Sequence, residues 1–133
     1  MRTLLAQAGR SADFEVASAG THDYHVGQAP FALAVELAKR RGYEIAACTG
    51  RRISASDFDH FDYILAMDKA NLSNLRSIAP TRSKQKIELL LEYGDEFYGM
   101  EVPDPFGGKE EGFMLAVDMI EDGCRGLAQV LLR

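Results

Sequence analysis

Asp104 stands between two prolines in Glu101-Val102-Pro103-Asp104-Pro105-Phe106, the first stretch whose residue types and spacing suggest chemistry. Each proline fixes its own backbone angle and pushes the residue before it toward extended geometry. The Asp104 carboxylate is therefore presented on a stiff loop. Phe106 adds an aromatic face two residues later, and Gly107-Gly108 lets the chain turn away. A held carboxyl beside a ring suits a general acid whose substrate has a flat leaving group. The same residues also read as a plain proline-bracketed surface turn, and the rest of the chain has to decide between the two.

The elements that must position this loop belong to a chain of 133 residues, enough for one domain around one core. Its apolar fraction of 47% is ordinary for a globular protein. A formal charge of −5, with no broad Lys/Arg cluster, argues against a nucleic-acid partner. No apolar run approaches the roughly 20 residues of a bilayer-spanning helix, which argues against a membrane, and no signal peptide opens the chain. Two cysteines, Cys48 and Cys124, are too few for a disulfide scaffold and point to a reducing, cytoplasmic setting.

Hydrophobic periodicity lays out alternating elements. Residues 1–8 read as a helix stopped by Gly9, with no N-cap before Met1. Residues 14–20 alternate as a short strand. A loop over 21–29 carries Tyr24 and His25, and residues 30–41 form a helix that opens on Pro30 and stops at Gly42. Residues 45–52 read as a short extended segment or loop. Ser54 or Ser56 caps a brief helix through His60. The apolar run 63–67 is a strand covered on both faces, Asp68 opens a helix to about Ala79, and 87–91 is a second buried strand. A loop over 92–100 leads to the acid loop. The last helix, about 110–132, has Phe113, Val117, Ile120, Cys124, Leu127 and Leu131 as its buried stripe, with Gly123 and Gly126 weakening it. Strands alternating with helices imply a parallel sheet with helices on both faces.

Four segments then occur in the order and spacing of the low-molecular-weight protein tyrosine phosphatases, which the chain resembles along nearly its whole length. They are Ser18-Ala19-Gly20-Thr21, Tyr24-His25-Val26-Gly27, Phe61 to Asp68 with Asn71-Leu72, and Val102 to Phe106. The resemblance implies a three-layer α/β fold and hydrolysis of phosphotyrosine in proteins through a cysteinyl-phosphate, with no metal and no organic cofactor. It implies that Asp104 protonates the leaving tyrosine oxygen. Tyr24 and Phe106 would wall the phosphotyrosine slot, with His25 at its rim. Ser18 would support the phosphate loop, and Cys48 stands where many relatives carry a histidine that braces it. As alternatives, Tyr24 and Phe106 are surface aromatics, Cys48 a small space-filler or redox sensor, and Cys124 a packed core thiol. His25 and His60 read as surface histidines, Lys39-Arg40-Arg41 and Arg51-Arg52 as solvated faces, and Asp68 as a helix cap.

One part of the pattern is missing. The family opens with a central strand running into a Cys-x-x-x-x-x-Arg loop, whose thiolate attacks while backbone N–H groups and the arginine hold the phosphate. Here Ser54 stands six residues after Cys48 and Val130 six after Cys124. By resemblance residues 1–133 are one N-terminally truncated domain, first strand absent, and the chain alone is expected to be inactive. The missing strand would leave a gap of roughly 9.5 Å between segments 15–19 and 63–67. Direct pairing of those segments, a strand from another chain, or residues upstream would fill it, and the exposed sheet edges offer a route to a homo-oligomer. Two further functions compete: a non-catalytic module that binds anions or a partner, and an arsenate reductase of the same fold. The second needs cysteine relays that this sequence does not place near one another.

Overall fold

The structure is a computed structural model that describes residues 1–21, 27, 32–45, 48, 50–104 and 109–133. Among these, α1 (Arg2–Gln7), α2 (Ala32–Arg40), α3 (Asp57–His60), α4 (Lys69–Ile78) and α5 (Glu110–Leu131) alternate with strands β1 (Ile64–Ala66) and β2 (Ile87–Leu89). The strands pair in parallel, with Ile64 opposite Ile87, Leu65 opposite Glu88 and Ala66 opposite Leu89. The chain is thus α/β with a parallel sheet.

Local signals explain the boundaries. Asp68 is extended, and its carboxylate accepts the Asn71 backbone N–H at 2.7 Å, capping α4. Ala79 leaves the helix in extended geometry before Pro80, as a residue preceding proline must. Beyond α2, Gly42 takes a φ of +86°, which lets the Tyr43 N–H reach back to the Ala38 carbonyl at 2.9 Å.

Two apolar clusters hold these elements together. Phe58, Ile64, Ala66, Leu75, Ala79, Ile87 and Leu89 join α3 and α4 to the sheet. Leu91, Val102, Ala116 and Met119, with Met67 and Phe97 against them, join α5 to the end of β1 and to the segment before Asp104. The segment leading to Asp104 is therefore anchored in the core at Val102, while Glu101, Pro103 and Asp104 are themselves exposed. No helix of the described residues is long and apolar enough to cross a membrane.

Three expectations from periodicity need correction. Residues 14–20 alternate as a strand does but, among the described residues, pair with no strand; there Gly20 alone makes an isolated parallel bridge, to Arg52. Alternation shows which residues face an interior, whereas a strand needs a hydrogen-bonded neighbour, and β1 lies across a trough from this segment. The second strand ends at Leu89, because Leu90–Tyr93 tightens into a 3-10 turn that packs on α5.

The third correction concerns α5. Its fully buried positions are Phe113, Ala116, Met119, Gly123, Leu127 and Ala128. Phe113 and Leu127 of the expected stripe are among them, whereas its other members, Val117, Ile120, Cys124 and Leu131, are less covered and line the trough. The two glycines have a packing role that propensity hides. A Cβ on Gly123 would meet Leu90 Cγ at 2.6 Å, and one on Gly126 would meet the Tyr93 carbonyl oxygen at 1.6 Å. Missing side chains let α5 approach the 3-10 turn closely.

Candidate functional site

The junction of β1 and α4 gathers the residues singled out from the sequence. Met67 ends the β1 run, and its carbonyl accepts the Val102 N–H at 2.8 Å. Val102 is only 4% exposed, so this bond lies at the buried root of the acid loop. Glu101, one residue earlier, accepts the Lys69 backbone N–H at 2.8 Å. From the other side, Asn71 donates through its side-chain amide to Thr21 Oγ1 at 3.4 Å, tying the Ser18–Thr21 segment to α4. The Gly20 N–H bonds the Arg51 carbonyl at 2.8 Å, and the Ile53 N–H bonds the Gly20 carbonyl at 2.9 Å.

Arg51 is itself held. Its guanidinium reaches Asp57 at 2.9 and 3.2 Å, and the same carboxylate accepts the Ser54 N–H at 2.8 Å. The Arg51 guanidinium, reinforced by Ser54, holds the Asp57 carboxyl below the usual carboxylate range against the opposing effect of burial. The Ser-x-x-Asp spacing of 54 and 57 is a helix-start signal that could have announced this knot. The Arg51 guanidinium is thus tied into the fold while still 39% exposed, and Arg52 is exposed as a solvated face would be.

Beside this junction lie two neighbouring cavities of about 600 and 660 Å³. They share Met1, Val16, Met67, Asn71, Ile120 and Cys124, so they are adjoining halves of one trough. The α5 stripe of Ile120 and Cys124 runs under both halves. The first half is also lined by Asp104, Pro103, Cys48 and Asp68. The second is lined by Ser18 to Thr21 and by the whole run from Tyr63 to Met67. Each half has the size of a small-ligand site. The second half separates segment 14–20 from β1, where a gap between those two segments was expected, and Asp104 is among the residues lining the first half.

Of the sequence-derived site residues, Asp104 and Cys48 both line the first half and Ser18 lines the second, with Asn71 lining both. Tyr24, His25 and Phe106 fall outside the described residues. His60 is exposed and pairs with Glu15 on the surface. Asp68 is the helix cap already described. Cys48 and Cys124 are both free thiols. Burial pushes the Cys124 thiol up, partly offset by the nearby terminal ammonium group, so it is poor in thiolate and a poor nucleophile. Sequence reasoning missed Glu101, because a single acid two residues before a proline carries no recognisable signal of its own.

Comparison with known proteins gives this geometry its context. The sequence model of the low molecular weight phosphotyrosine protein phosphatases matches residues 1–133. A Synechocystis protein named for the same family is 38% identical over 128 residues, spanning 96% of this chain and 81% of that protein. The crystal structure of YfkJ from Bacillus subtilis superposes with a TM-score of 0.88 at 32% identity, covering 98% of this chain and 81% of that one. A protein tyrosine phosphatase from Entamoeba histolytica, with Hepes in its active site, superposes with a TM-score of 0.93 at 35% identity, covering 98% and 83%. This chain belongs to the low molecular weight phosphotyrosine protein phosphatase family.

Proposed function

We propose that these 133 residues form one three-layer α/β domain carrying the proton-donating half of a protein tyrosine phosphatase site. Asp104 is the general acid, supplying a proton to the tyrosine oxygen as the phosphorus–oxygen bond breaks. Tyr24 and Phe106 flank the phosphotyrosine ring, and His25 lies at the rim. Ser18 and Cys48 brace the region where a phosphate loop would sit. The substrates are phosphotyrosine-containing proteins. Both free thiols suit a reducing cytoplasm.

The observation that carries this reading is the rooting of the Asp104 loop. Its anchor, Val102, is buried and bonded to the last carbonyl of the β1 run, and Asp104 then lines an apolar trough together with Asn71. Family membership supplies the reaction class.

The nucleophile is a separate matter. Neither cysteine is followed by arginine at the sixth position, and the Arg51 guanidinium is occupied by Asp57. General-acid help is worth ~10²–10⁴-fold, far below the acceleration that phosphate-monoester hydrolysis requires. These residues alone therefore do not turn over. The test is hydrolysis of an aryl phosphate by the purified 133-residue protein. A rate at buffer background, unchanged in Asp104→Asn, supports the reading. Turnover that a thiol alkylator abolishes would overturn it.

A further inference from the structure

We propose that Glu101 is a positioning residue, fixing where the loop holds Asp104. This rests on reading Asp104 as the acid. Lys69 is the first residue of α4, so its N–H is one of the four with no acceptor inside the helix. The Asp68 carboxylate is already spent on Asn71 at 2.7 Å. Glu101 reaches across 32 positions of sequence to take the Lys69 N–H at 2.8 Å. Its neighbour Val102 donates to the Met67 carbonyl, also at 2.8 Å.

Two adjacent residues thus grip the chain on either side of Asp68. One bond at Val102 would fix a point but leave the segment free to swivel about it. The second bond, at Glu101, removes that freedom just before Pro103 locks the next backbone angle. Asp104 is the following residue, so this pair of anchors fixes the point from which its backbone emerges. Glu101 itself is exposed and adds little to the core. A carboxylate at this position also suits the positive end of α4.

The experiment uses the 133-residue protein and needs no turnover: amide exchange and the carboxyl and backbone NMR signals of Asp104 are compared across variants. In Glu101→Ala, Lys69 and Val102 exchange about five-fold faster, as for a lost helix cap, and the Asp104 signals shift and broaden. Glu101→Gln keeps an accepting oxygen and restores the Asp104 signals. Lys69→Pro removes the donor instead. Proline is favoured at the first helical position, and Asp68, at φ −138° and ψ 172°, already has the geometry a following proline demands. It reproduces the Asp104 change, and combining it with Glu101→Ala adds nothing further.

Movement of the Lys69 amide with Asp104 signals unchanged in Glu101→Ala would reduce Glu101 to a helix cap and overturn the proposal. So would Glu101→Gln behaving like alanine. Because the readout is loop geometry, an acid role for Asp104 that fails in a catalytic assay would leave these results standing and be recognised as a separate failure.

Discussion

Replacing Gly126 by alanine sets two effects of opposite sign against each other. Helix propensity favours alanine by ~1 kcal/mol in the interior of a 22-residue helix such as α5. Against that, the new Cβ would stand 1.6 Å from the Tyr93 carbonyl oxygen, where real contacts never fall below 3.0 Å. The obstacle is backbone, so no rotamer change relieves it. α5 and the 3-10 turn would have to part by about 1.4 Å, loosening Leu91 against Ala116 and Met119 and Leu90 against Gly123. Overpacking of this kind costs ~1–3 kcal/mol and occasionally more, and a clash with backbone belongs at the upper end.

The net expectation for Gly126→Ala is a loss of about 2 kcal/mol, or about 8 °C in melting temperature for a chain of this size. Urea denaturation at fixed m-value measures it. Two other glycines of the same helix act as internal controls. Gly123→Ala meets the Leu90 side chain, which can yield in part, and is expected to cost about half as much. Gly112→Ala meets nothing within 4 Å and is expected to be neutral or stabilising by up to ~1 kcal/mol. Gly126→Ala matching or exceeding the parent in stability would refute the close packing of α5 on Leu90–Tyr93.

Other consequences follow from particular groups. Asp57→Asn keeps an oxygen for the Ser54 bonds but loses the charge facing Arg51, and is expected to cost up to ~1 kcal/mol, because Arg51 is 39% exposed and its ion pair is screened. Since the Asp57 pKa is lowered in the fold, its contribution is present above about pH 4 and fades as pH falls through the lower folded value. The stability gap between parent and Asp57→Asn should therefore close in melting curves run from pH 5 to 2. Tyr93 is pushed well above the ordinary tyrosine range, first by burial and then by its bond to Glu88. A raised folded value means stability lost as pH climbs past about 10, and absorbance titration should show one of the five tyrosines ionising only on unfolding. Cys124, raised by burial, should react with a disulfide probe at pH 7 more slowly than free cysteine does.

How much of this was legible in the sequence differs from element to element. Asp68 followed by a polar turn announced the start of α4, and Ala79-Pro80 announced its end, because both signals act within a few residues. The run 63–67 announced a strand, but only Ile64–Ala66 forms one and Tyr63 is 42% exposed, because apolar continuity marks burial without fixing which faces are covered. Residues 14–20 misled for the converse reason: alternation records facing, and pairing depends on a partner distant in sequence. In α5 the two apolar stripes lie side by side, and only the placement of Leu90–Tyr93 determines which is packed and which faces the trough. At the site, the prolines marked Asp104 in advance. The anchors at Met67 and Lys69 were invisible because they use backbone groups that every residue carries, and the Glu101 carboxylate because its partner lies 32 positions away.

The most direct test joins a family-type strand and Cys-x-x-x-x-x-Arg loop ahead of Met1 and assays the product on phenyl phosphate, whose leaving group is poor. The account predicts turnover that falls ~10²–10⁴-fold in Asp104→Asn and falls much less with p-nitrophenyl phosphate, whose leaving group needs little proton help. A folded product with no turnover, or one indifferent to Asp104→Asn on phenyl phosphate, would contradict it.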